Sequence, residues 1–504
     1  MLTNILQYLE QTALRFPDKL SFANEETGLT FRQLHEQARS IGSFLCAKGI
    51  THQPVVVFMH KHPTVLSAFF GTVYGGNYYV PLDDEMPRHR IELILNVLNA
   101  GAMICDGATA QIAQSLNFGG EIYLFDQICD TPVDEAALTA VRSAHIDTDP
   151  LYIVYTSGST GVPKGVMVCH RSVIDYIEHL SEAMDFDENT VFGNQTPLYF
   201  DASMKEVYPT IRCGATTYLI PKQLFMFPVK LVEYLNRFRI NTVCWVASAL
   251  TLVSSFRTFE KIVPEYLHTI GFSSEVFPIK QYNLWRQTLP NARYFNLYGP
   301  TEITGCCCFY EAKRPFGDDE VMPIGKPFEN SGVFLLDEED KIPPVGQIGE
   351  ICVRGTGVAL GYYRNPEKTA EAFVQNPLND MYPERIYRTG DLGRLNELGE
   401  IVFAGRKDYQ IKHMGHRIEL GEIEAVTNLH SDVRNACCIF NSDSKKIVLY
   451  YCGDISTKDV GAYIKEKLPR YMVPHVIQQL PELPRLPNGK LDRNLMKQMA
   501  TQKK

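Results

Sequence analysis

Apolar, β-branched runs alternate with stretches of helical spacing along most of the chain. The run 54–59 reads as a buried strand, 88–98 repeats its apolar positions at helical spacing, and 102–105 returns to strand. The same texture continues through 242–246 and 294–297. Such alternation predicts an α/β fold with layered sheets. After Tyr310 the pattern changes to short strands and turns, as at 349–355, which predicts a compact β-rich subdomain. From Arg406 and Asp408 onward come a strand at 409–412, a turn at Gly415, a helix from Leu420 and strands around Cys437 and at 447–451. These predict a small α+β domain. The expected division is therefore an N-terminal domain, 1–406, of layered α/β subdomains plus the β-rich subdomain, and a C-terminal domain, 407–504. No internal repeat and no low-complexity segment interrupts it.

Composition narrows the function classes. A chain of 504 residues is too long for one core, and 45% hydrophobic with 21% charged residues is ordinary for a soluble globular protein. A net charge of -9 without a long basic run argues against nucleic acid as a partner. The first residues lack a basic region followed by an apolar core, and no apolar stretch reaches the ~18 residues of a membrane span, so a cytoplasmic protein is expected. Thirteen cysteines, none at Cys-x-x-Cys spacing, read as reduced thiols rather than a metal site.

One loop carries chemistry on its face. Tyr155-Thr156-Ser157-Gly158-Ser159-Thr160-Gly161-Val162-Pro163-Lys164-Gly165 follows the strand-like run 151–154 and precedes another at 166–169. Glycines permit close backbone approach, hydroxyls and N–H groups donate to phosphate oxygens, and a lysine offsets negative charge. The order is not that of the mononucleotide P-loop, because no Gly-Lys follows at its spacing.

This loop resembles the signature of the adenylate-forming enzymes, which include acyl-CoA synthetases, luciferases and the adenylation domains that load carrier proteins. The likeness runs from Leu29-Thr30-Phe31 to Asn488-Gly489-Lys490. It implies a large α/β N-terminal domain with a small mobile α+β C-terminal domain, and ATP with Mg2+ as cofactors. Thr156, Ser157, Gly158, Thr160, Gly161 and Lys164 would hold phosphate, with Lys164 contacting the outgoing phosphates. In Asn296-Leu297-Tyr298-Gly299-Pro300-Thr301-Glu302, the resemblance puts Asn296 on the adenine edge, Tyr298 against the base, Thr301 on the α-phosphate and Glu302 on magnesium. Asp391 and Arg406 would take the ribose hydroxyls, Asp408 would be the hinge, and Lys490 would bridge the attacking carboxylate and the phosphate. Gly415 and the run 416–424 resemble the face that admits a carrier's phosphopantetheine arm.

The resemblance also addresses the substrate. Asp201, in Phe200-Asp201-Ala202-Ser203, stands where amino-acid-activating members bind the α-ammonium. Carried over position by position, the side-chain pocket comprises Ala202, Lys205, Cys244, Ile270, Phe272, Leu297, Gly305 and Cys306. Lys205 is its unusual member: it suggests an acidic substrate side chain, unless it swings to solvent or pairs with Glu206 or Asp201. Ser273-Ser274-Glu275 departs from the family's Gly-Gly-Glu or Cys-Gly-Glu triplet. The expected activity is adenylation of an amino acid, then transfer to a separate phosphopantetheinylated carrier protein, since no carrier attachment motif occurs in the chain. The alternatives are a D-alanine ligase of teichoic acid D-alanylation and an acyl-CoA ligase. A scaffold that has lost chemistry would lack one of Lys164, Glu302, Asp391 or Lys490, and all four are present.

Overall fold

The computed structural model describes residues 2–158, 162–485 and 491–502, with residue 502 described by its backbone alone. Contacts group the chain into two units. Met1–Asp84, Leu98–Val154 and Gly165–Lys407 form the first, and Glu85–Val97, Tyr155–Lys164 and Asp408–Lys504 form the second.

The first unit contains a nine-stranded sheet in the order Lys326–Pro327, Cys308–Glu311, Arg293–Tyr298, Thr269–Ser273, Thr242–Val246, Val191–Asn194, Thr216–Leu219, Leu20–Ala23, Gly28–Thr30. The strands from Arg293–Tyr298 to Leu20–Ala23 are parallel. From Val191–Asn194 the chain passes to Thr216–Leu219 on one side, then crosses to Thr242–Val246 on the other. That reversal is a topological switch point, where a crevice opens beyond the carboxyl ends of the strands.

The reversal also divides the helices. Met204–Cys213 packs in one core cluster, whereas Pro228–Arg237, Ala247–Ser255 and Ile279–Thr288 pack in another. Because side chains alternate across a strand, Cys244, Phe295 and Leu297 join the first cluster, and Val243, Trp245, Ile270, Phe272 and Tyr294 join the second.

A seven-stranded sheet includes Pro150–Thr156 and Lys164–Cys169, the strands on either side of the glycine-rich loop, and is edged by Gly361–Tyr362. The β-rich part is an antiparallel sheet of Ser331–Leu336, Gly349–Gly355, Arg385–Leu395 and Phe373–Gln375, with Ile401–Arg406 paired to Arg385–Leu395. In the second unit, Gln410–His413 and His416–Glu419 form a hairpin whose turn residues, Met414 and Gly415, both have positive φ, 51° and 79°. Two such residues give the turn that matches strand twist. A three-stranded sheet, Val433–Asn441, Lys446–Gly453 and Val476–Gln479, carries the helices Leu420–Asn428 and Thr457–Lys467 on one core. The layered α/β part, the β-rich part and the small α+β part expected from the hydrophobic pattern are all present. Among the described residues no helix is long and apolar enough to cross a membrane, and all thirteen cysteines are free thiols.

Candidate functional site

The switch point collects the expected substrate residues of the first unit. After Val191–Asn194 the chain makes a short 3-10 turn, Asp201–Ser203, and enters the helix Met204–Cys213. Asp201 and Lys205 lie four positions apart on this helical run, which puts them on one face. Lys205 is only 2% exposed and makes no hydrogen bond or close ion pair among the described residues. It therefore neither swings to solvent nor pairs tightly with Asp201 or Glu206. Its charge is still felt: it lowers the acidic pKa values of Asp201, Glu206, Cys244 and Cys306. Desolvation pushes the Asp201 carboxyl up, while Lys205, the Thr301 side chain and the Ala202 N–H draw it back.

Cys244 and Leu297 face the same space. A Cβ on Gly271 would stand 3.1 Å from Met184 Cε, 3.2 Å from Leu297 Cδ1 and 3.3 Å from Cys244 Sγ. Gly305, at φ 101°, lies against the Tyr176 ring, and Cys306 is buried beside that tyrosine. Ile270 and Phe272 are not brought here. They point through the opposite face of the sheet, where Phe272 packs 4.9 Å from the Phe277 ring. Strand alternation gives their places to Gly271 and Ser273, and the buried Ser273 hydroxyl has no hydrogen-bond partner among the described residues. Ser274, in place of the family's glycine, holds a positive φ of 72°.

Behind Lys205, Glu206 sits in a buried group with Asn194 and Lys61 that sequence reasoning missed. Glu206 is fully buried, with Asn194 Nδ2 donating to its Oε2 at 2.7 Å. Its Oε1 and the Asn194 Oδ1 lack partners among the described residues. Lys61 Nζ donates to the Asn194 and Gln195 carbonyls at 3.2 and 3.3 Å. Burial pushes Glu206 up to about 7 against the pull of Asn194, Lys205 and Lys61. It pushes Lys61 down to about 7 against the pull of Glu206. Two adjacent charges inside the apolar helical run 204–213 were the available signal.

The expected nucleotide residues also converge in the first unit. Asn296 Nδ2 donates to the Pro323 carbonyl at 2.8 Å. The Tyr298 hydroxyl donates to Asp391 Oδ2 at 2.7 Å, and Arg406 ion-pairs with Asp391 Oδ1. Strand pairing makes that second contact, because Asp391 and Arg406 are register partners. Thr301 and Glu302 follow Pro300 on a 3-10 turn; Thr301 is 8% exposed and Glu302 wholly buried. The Tyr362 hydroxyl, from sixty positions away, donates to Glu302 Oε1 at 2.8 Å. No local pattern pointed to it.

The glycine-rich loop belongs to the second unit and is described there by itself. A Cβ on Gly158 would lie 2.0 Å from the Val162 carbonyl oxygen, so only glycine fits. The Gly158 N–H donates to Glu422 Oε2 at 3.1 Å, and Glu422 also pairs with Arg90. Ser157 Oγ donates to the Arg417 carbonyl at 2.9 Å, and Lys164 Nζ stands 3.9 Å from Glu419 Oε1. The Thr156 hydroxyl is buried without a partner among the described residues. Asp408 begins the C-terminal stretch of the unit and accepts the Gln410 N–H at 3.1 Å. Thr160, Gly161 and Lys490 lie outside the described residues.

Comparison with known proteins agrees with this geometry. The family model for AMP-binding enzyme matches residues 9–363, and that for the AMP-binding enzyme C-terminal domain matches 422–490. Tyrocidine synthase 1 of Brevibacillus parabrevis is 31% identical over 98% of this chain and 45% of its own length. A dimodular nonribosomal peptide synthase of Bacillus subtilis is 31% identical over 98% of this chain and 21% of its own length. The chain thus spans less than half of these curated relatives. Among solved structures, the Vibrio cholerae adenylation domain AlmE in complex with glycyl-adenosine-5'-phosphate superposes at a TM-score of 0.85 and 20% identity, covering 100% of this chain and 98% of that one. An artificially fused adenylation–PCP di-domain, NpsA-ThdA from Klebsiella oxytoca, superposes at 0.81 and 22%, covering 95% and 94%. With the matched model spanning well over half of its length, the chain belongs to the AMP-binding enzyme family.

Proposed function

We propose that the chain activates an amino acid with ATP and passes the aminoacyl group to the phosphopantetheine thiol of a carrier protein. In the first half-reaction a substrate carboxylate oxygen attacks the α-phosphorus, and the P–O bond to pyrophosphate breaks. In the second, the thiol sulfur attacks the acyl carbonyl, AMP leaves with the anhydride oxygen, and the thiol proton passes to solvent. The observation that carries this reading is the convergence of Tyr298 and Arg406 on the Asp391 carboxylate, which brings together the residues assigned to the base and the ribose. Asp201, on the turn that enters the helix Met204–Cys213, would bind the substrate ammonium. Tyr298, Asp391 and Arg406 would hold the nucleoside, and Asn296 the adenine edge. Lys164 and Lys490 would offset charge on the transferring phosphate, which matters most as that charge develops. Asp408 would be the hinge between half-reactions.

A divalent cation fits this donor set. Mg2+ takes one or two carboxylates beside phosphate oxygens, and Glu302 is a buried carboxylate oriented by a hydroxyl. When bound there, the ion would neutralise triphosphate charge. The identity of the amino acid is a finer reading. A lysine at 2% exposure with no hydrogen bond among the described residues supports an anionic substrate side chain, because aspartate or glutamate would supply a close counter-charge. Amino-acid-dependent ATP–pyrophosphate exchange over the common L- and D-amino acids tests both levels. Exchange with L-glutamate or L-aspartate is expected. Selectivity for alanine would overturn the acidic substrate and favour the D-alanine ligase, and exchange stimulated by no amino acid would overturn the activity itself.

A further inference from the structure

Tyr362 stands where three parts of the candidate nucleotide site meet. Its hydroxyl donates to Glu302 Oε1 at 2.8 Å, with the tyrosine 7% exposed and the glutamate wholly buried. Its backbone lies in the short strand Gly361–Tyr362, paired antiparallel with the strand that leaves the glycine-rich loop, Tyr362 opposite Val166. Two flanking bonds lengthen that pairing: Leu360 N–H donates to the Met167 carbonyl at 2.8 Å and Tyr363 N–H to the Gly165 carbonyl at 2.7 Å. Its ring meets Phe373 edge-on at 5.4 Å, and Phe373 lies 4.9 Å from Tyr387, four positions before Asp391 on the same strand.

The anchoring on both sides is tight. Thr369 Oγ1 accepts the Tyr362 N–H at 3.0 Å. Gly361, at φ 129°, has room for no side chain, since a Cβ would stand 2.7 Å from Thr369 Cγ2. Glu302 is fixed from its own backbone, whose carbonyl accepts the Ala359 N–H at 2.9 Å. Both ends of the hydroxyl–carboxylate bond are thus anchored to the segment 359–369.

We propose that Tyr362 is a positioning residue that orients the Glu302 carboxylate for a nucleotide-bound divalent cation. A carboxylate that coordinates a hard cation is itself hydrogen-bonded, and loss of such an outer partner typically weakens metal binding or activity about 10–100-fold. The inference rests on Glu302 being the cation ligand of the proposed adenylation site.

Tyr362→Phe removes only the O–H and keeps the ring against Phe373. Its half-saturating Mg2+ in pyrophosphate exchange is expected to rise at least about 10-fold, with kcat at saturating Mg2+ and the amino-acid KM near wild type. Calorimetric binding of Mn2+–ATP, which needs no turnover, should weaken by the same factor, while binding of ATP in chelator should not change. A thermal midpoint near wild type shows that the variant folds. Glu302→Gln is the control. If it shifts the Mg2+ dependence and Tyr362→Phe does not, or if excess Mg2+ fails to restore Tyr362→Phe, the positioning role is overturned and the Glu302 assignment stands. If Glu302→Gln leaves cation dependence and Mn2+–ATP binding unchanged, the Glu302 assignment falls and the inference falls with it.

Discussion

The two faces of the nine-stranded sheet use the same strands for opposite purposes. On the face with Ile270 and Phe272, fully buried polar rings satisfy themselves. Trp245 Nε1 donates to the Gly193 carbonyl at 2.6 Å, Trp285 Nε1 to Leu250 at 2.9 Å, and the Tyr294 hydroxyl to Trp285 at 2.8 Å. Tyr234 is an exception there, with no partner for its hydroxyl among the described residues. On the face with Cys244 and Leu297, Asn194 Oδ1, Glu206 Oε1 and Ser273 Oγ are buried without partners among the described residues, and Lys205 is 2% exposed. Unsatisfied buried polar atoms are costly, and a native core contains few of them. One face is a packing surface; the other holds groups that a substrate or ordered water must complete.

Large-to-small change on the packed face should have the greatest effect. Trp285→Ala should lower unfolding free energy by about 3–5 kcal/mol in denaturant titration, with the rank order of activated amino acids unchanged. A changed rank order would break the distinction between the faces. On the other face, Lys205→Ala should cost acidic amino acids about 2–5 kcal/mol in kcat/KM relative to alanine, since it removes the cation proposed to meet their side chain. Loss of stability without change in selectivity would make Lys205 a packing residue.

Glu206→Gln sharpens the contrast through pH. The folded pKa of Glu206 is raised from 4.5 to about 7, so the native state binds the extra proton in that interval. Its penalty is absent below pH 4.5, grows as pH rises and is complete above about 7. Lys61 and Lys205 face this carboxylate as cations and Asn194 as a donor, with Cys244 adjacent. The variant's stability relative to wild type should therefore increase between pH 4.5 and 7, as measured by chemical unfolding at each pH. A constant difference would show that Glu206 does not titrate there. The smallest effects compare neighbours in one strand. Ile270→Val should cost about 0.5–1.5 kcal/mol of stability without altering selectivity. Gly271→Ala, whose Cβ meets Met184, Leu297 and Cys244, should shift preference toward smaller amino acids in pyrophosphate exchange.

The sequence by itself determined what local chemistry can encode. Hydrophobic runs marked the strands at 54–59, 102–105 and 242–246, and the structure has Pro54–Phe58, Ala102–Cys105 and Thr242–Val246. The clustered glycines and hydroxyls of 155–165 and the order of residues 296–302 were enough to recognise a family, because a loop's shape depends on its own residues. The tertiary structure alone decided which neighbours share a space. Ile270 and Gly271 are adjacent in sequence yet serve opposite faces, because the crossing at the switch point puts Met204–Cys213 on one side and three helices on the other. Arg406 reaches Asp391 through strand register, and Tyr362 reaches Glu302 through an edge strand sixty residues away. Such contacts depend on chain topology and side-chain alternation, which no local window contains.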